Sequence, residues 1–156
     1  MTAPIGEKRQ TSGVYKKTLT LAVAGGLAFW AATIAISLTP TAADYRAAES
    51  IASIQSVWVG GLIIGLIMAF LISYILVRFY VKIPTKNSIL KSLILTFIAL
   101  IVLLLVIEFP SALRTGNALY YFLDGVLLNV PRFLVFGIVV GYLYSKLYGS
   151  ATARNV

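Results

Sequence analysis

The chain has 156 residues, 60% of them hydrophobic and 12% charged, and a mean hydropathy of +0.93, far from a soluble domain, in which roughly a quarter of residues are charged. It contains no cysteine and no histidine, which excludes disulfides, thiolate metal sites, cysteine nucleophiles and the commonest general base. Five side-chain carboxylates are left as the only strong groups for proton or metal chemistry, no cofactor is expected, and the net charge of +8 sits on Lys and Arg that flank apolar runs, which points to a lipid bilayer and not to nucleic acid.

Residues 1–15, MTAPIGEKRQTSGVY, are polar and mixed with Gly and Pro, and read as a disordered cytoplasmic arm. The first charge-free run, TLTLAVAGGLAFWAATIAISLTPTAA, exceeds the roughly 20 helical residues that a bilayer core of roughly 30 Å requires. It is longer than the apolar core of about 7 to 15 residues of a cleavable signal, so it reads as a span over about 18–39, ended by Pro40. The segment TAADYRAAESIASIQS then reads as helix, an outward extension of a second span at about 57–80. The loop VKIPTKNS follows, with Pro84 in a turn and Thr85, Asn87 or Ser88 capping the next helix, so spans two and three should form an antiparallel hairpin.

The third run, SLILTFIALIVLLLVI, becomes a span at about 88–109 if Lys91 snorkels to one interface and Glu108 sits near the other, with Pro110 ending it. Beyond the loop SALRTGN, Leu119, Phe122, Leu123, Val126 and Leu127 share one helical face. This segment is either a short interfacial helix or the first turns of span four, kinked at Pro131, and both readings stay open. Only 13 residues separate Arg132 from Lys146, so the fourth span, at about 131–148, must take Arg132 into its first turn, where Pro131 is tolerated. Residues 149–156 read as a flexible cytoplasmic tail.

Charge bias supplies an orientation. Lys8, Arg9, Lys16, Lys17, Arg78, Lys82, Lys86, Lys91, Lys146 and Arg154 fall on the side of the N-terminus, against Arg46, Arg114 and Arg132 on the other. The expected fold is an all-α integral membrane protein: a bundle of four transmembrane helices over 16–148, set in the cell membrane with both termini cytoplasmic.

Small residues four apart mark where helices in lipid approach closely. The rows are Ala24, Ala28 and Ala32 in span one, Gly61, Gly65 and Ala69 in span two, and Gly137, Gly141 and Ser145 in span four. Span three has no glycine, so spans one, two and four are expected to pack closely with span three peripheral. The same rows could serve a homo-oligomer. Glu108 and Arg132 come to similar depth at helical rise, which makes them a candidate intramembrane ion pair, with Arg114 and Asp124 completing an outer polar cluster. The inner basic cluster of Arg78, Lys82, Lys86 and Lys91 could hold anionic lipid headgroups. With no motif for chemistry, the expected function is a structural or accessory subunit of a membrane complex, bound to a protein partner. The alternatives are a small transporter or channel using the outer polar cluster and a cofactor-free membrane enzyme.

Overall fold

The computed structural model describes the backbone of residues 5–152 and the side chains of residues 13–148. Among the described residues there are helices and turns but no strand: α1 (Ile5–Ser37), α2 (Pro40–Ala48), α3 (Ile54–Phe79), α4 (Ser88–Leu103), α5 (Phe109–Ala112) and α6 (Ala118–Thr152). Four stretches are long and apolar enough to cross a membrane, namely Gly13–Ser37, Ile54–Lys82, Ser88–Ala112 and Ala118–Tyr148. Helix α1 begins at Ile5, inside the segment expected to be an arm, since EKRQ is made of good helix formers. Residues 1–4 and 153–156, the ends of the expected arm and tail, lie outside the described residues.

Three boundaries differ from the sequence reading, and each difference traces to a proline or a cap. The segment after Pro40 is a helix of its own rather than an extension of span two. Thr39 caps α2 by accepting a hydrogen bond from the Ala42 amide, with Pro40 in the first turn. At its far end the Ile51 amide bonds the Arg46 carbonyl and the Ser50 amide bonds the Ala47 carbonyl, a Schellman closure that puts Ser50 at φ 54°. Ser53 then caps α3 through the Ser56 amide.

Pro110 does not end the third span, which runs on to Ala112. Lacking an N–H, Pro110 breaks the regular ladder, and residues Leu104–Glu108 widen into a π turn in which the Phe109 amide reaches back to the Leu104 carbonyl. Pro131 does not start the fourth span either. It lies inside a continuous α6, on an exposed face where a missing backbone donor is tolerated, so the segment from Ala118 forms the first turns of that span and not a separate interfacial helix.

The packing order also differs from expectation. Helix α1 packs on both α3 and α6, α6 packs on α4, and α3 meets α4 only sparingly. The third span is therefore not peripheral. A Cβ on Gly137 would meet Thr96 Oγ1 at 2.7 Å, and one on Gly141 would meet Ile89 Cα at 2.5 Å, so the glycines of α6 seat α4, which needs none of its own. On α1 the tight positions are Gly25, against Phe136 and Val140 of α6, and Gly26, against Leu66 of α3. The alanines of the expected row, Ala24, Ala28 and Ala32, are half-buried. Gly61 faces Thr33, Gly65 faces Phe29, and Ala69 is fully buried. Phe29 stands edge-on to Phe133 at 5.4 Å and to Phe136 at 6.5 Å, which closes the core at mid-length together with Leu21, Leu76 and Val140.

Candidate functional site

At the end of the molecule where α2 lies, the helices enclose a cavity of about 360 Å³. Phe29 and Thr33 of α1 line its deep part. Gly60, Gly61 and Ile64 of α3 form one wall, Leu103, Ile107 and Glu108 another, and Gly125, Leu128, Asn129 and Arg132 of α6 a third. Tyr45 and Arg46 of α2, with Glu49 just past its end, reach in from above.

Glu108 is the hub. The π turn places it at the last position before α5, against Gly125 of α6, where even a Cβ would come within 2.5 Å of its Oε2. The Tyr45 hydroxyl donates to Glu108 Oε2 at 2.5 Å, and Asn129 Nδ2 donates to Oε1 at 2.8 Å. Asn129 also donates to the Gly125 carbonyl at 2.9 Å and accepts from the Arg132 guanidinium at 3.3 Å. The pair expected between Glu108 and Arg132 is thus mediated rather than direct: Asn129, only 5% exposed, turns its amide to the acid and its carbonyl to the base. Opposite charges so linked offset part of the desolvation that each suffers. Burial and the adjoining Glu108 hold the Tyr45 phenol well above its ordinary titration range, so it stays a donor at any physiological pH.

Two more polar contacts fasten α2 over this end. Arg46 donates to the Ser37 carbonyl at 2.7 Å, satisfying the last turn of α1, and the Ser111 hydroxyl donates to Glu49 Oε2. Ser37 Oγ in turn accepts from Trp58 Nε1 at 2.8 Å, and Trp30 donates its Nε1 to the Trp58 carbonyl at 3.0 Å. Two polar atoms on the cavity residues are shut from solvent without a partner: the donor Arg132 Nε and the acceptor Glu49 Oε1.

The other members of the expected outer cluster do not join. Arg114 is exposed, and Asp124 is buried at 8% exposure, outside the cavity wall, with Oδ2 unpartnered. At the opposite end, Arg78, Lys82 and Lys86 are exposed as a headgroup site would need, but Lys91 is not. It is 5% exposed, lies 3.9 Å from the Tyr80 ring centroid and donates to the Tyr80 carbonyl, where it caps the end of α3 instead of snorkelling. Tyr80 also stacks on Tyr144 and shares a hydrogen bond with Ser88.

Tyr45, Glu49 and Asn129 were missed as site residues. Asn129 carried a readable signal, being an amide inside an apolar run one turn from Gly125 and beside Arg132. Tyr45 and Glu49 carried none, because their role depends on α2 folding back across the helix ends. Among the described residues no cluster of acidic groups could hold a metal ion. No family model, curated protein or solved structure matches the chain.

Proposed function

We propose that the chain is a four-span bundle of the cell membrane, with both termini cytoplasmic, that binds and carries a small polar or amphipathic molecule in the cavity beneath α2, on the extracytoplasmic side. The orientation rests on the excess of Lys and Arg around the α3–α4 turn and the N-terminal end of α1. The observation that carries the functional reading is that Glu108, Asn129 and Arg132 border open volume. A purely structural clamp would be packed solid, whereas here the charged groups of two spans share the wall of a space large enough for a ligand. This favours the transporter alternative over the accessory subunit that composition alone suggested.

The test is purification of the full chain from native membranes in mild detergent, with mass spectrometry of what remains bound. A stoichiometric small molecule, lost on Glu108→Gln, supports the reading. A constant protein partner, with no small molecule retained in wild type, overturns it in favour of the accessory role.

A further inference from the structure

We infer that the ligand of this cavity is a zwitterionic phospholipid, which enters sideways from the bilayer between α3 and α4; the inference rests on the cavity being a ligand site. At the end, α2 is fastened across the helices at three places: Tyr45 to Glu108, Arg46 to the Ser37 carbonyl, and Glu49 to Ser111. The side is different. Helix α3 is seated on α1 and α4 on α6, but α3 and α4 make few contacts, and two cavity residues, Ile64 of α3 and Ile107 of the π turn that continues α4, are 44% and 53% exposed.

Depth puts this gap in hydrocarbon. At about 1.5 Å per residue Ile64 lies roughly 15 Å from the start of α3, and Ile107 roughly 8 Å from the end of its span. A water-soluble ligand would have to cross lipid to use such an opening, whereas an acyl chain already lies there. The cavity itself, about 360 Å³, is at the small end of ligand sites of about 300–1,000 Å³, so it takes a headgroup while the chains stay outside in the gap.

The headgroup class follows from the charges. The wall carries two guanidinium groups, Arg46 and Arg132, and two carboxylates, Glu49 and Glu108, so an anionic or a cationic headgroup would bring an uncompensated charge into a low-dielectric site. A zwitterionic headgroup, with a phosphate and an ammonium on one molecule, leaves that balance of charge unchanged.

The test uses the purified full chain in detergent and native mass spectrometry with three probes at equal concentration: phosphatidylethanolamine, phosphatidylglycerol and water-soluble phosphoethanolamine. Phosphatidylethanolamine should be retained one per chain, at least tenfold above phosphatidylglycerol. Ile64→Trp and Ile107→Trp, at exposed positions on the cavity wall, should each lower its retention at least tenfold with unchanged thermal stability. Equal or better retention of phosphatidylglycerol overturns the inference, as does full retention in both variants. Binding of phosphoethanolamine without the lipid overturns the lateral lipid route while leaving the cavity a ligand site, and binding of none of the three, with no other small molecule retained from native membranes, overturns both.

Discussion

Replacing Asn129 by Leu tests whether the Glu108 to Arg132 relay holds the α2 end together. Leucine has similar bulk, so packing is kept while three hydrogen bonds vanish. The bond to the carboxylate is worth about 1.5–3 kcal/mol, the long one from Arg132 about 1, and the one to a helix carbonyl about 0.5. Within a membrane such bonds have averaged only about 0.6 kcal/mol each, which sets a floor near 2. The expected loss therefore lies between that floor and the sum of the three bonds, about 2–4.5 kcal/mol. Reversible unfolding in mixed micelles can be followed by fluorescence of Trp30 and Trp58, the only two tryptophans, both hydrogen-bonded near this end. A double-mutant cycle with Glu108→Gln should give a coupling of about 1 kcal/mol. A loss below about 0.5 kcal/mol, or additivity within about 0.5, would refute the relay.

The raised titration of Tyr45 carries a sign. A phenol whose folded-state value lies above its ordinary 10.0 stabilises the fold fully below that pH, and this contribution is lost as pH climbs beyond it, by up to about 1.4 kcal/mol per unit. Thermal stability should fall above pH 10 in wild type and fall less steeply in Tyr45→Phe. Ser50→Gly, which relieves a left-handed backbone at φ 54°, should raise stability by about 0.5–1 kcal/mol in denaturant titration. Gly141→Ala drives a Cβ into the backbone at Ile89 and should cost about 1–3 kcal/mol, whereas Gly60→Ala, with nothing within 4 Å, should be neutral or slightly stabilising in the same titration.

What the sequence determined by itself was the membrane class and four segments able to span, since run length and the absence of charge depend on bilayer thickness and on nothing else in the fold. It also marked Glu108 and Arg132 as charges that apolar surroundings would have to accommodate. Which helices touch was beyond it. Every span carried small residues or hydroxyls at helical spacing, and only the assembled packing selected Gly25 and Gly26 over the alanine row and set α4 on the glycines of α6. The cavity was further out of reach still. It exists because Pro110 forces a π turn that delivers Glu108 to Gly125, and because α2 folds back to bring Tyr45 across 63 residues of chain to that carboxylate. Local pattern encodes burial and length, while a site built from α2, the π turn and α6 is decided only where three separate elements meet.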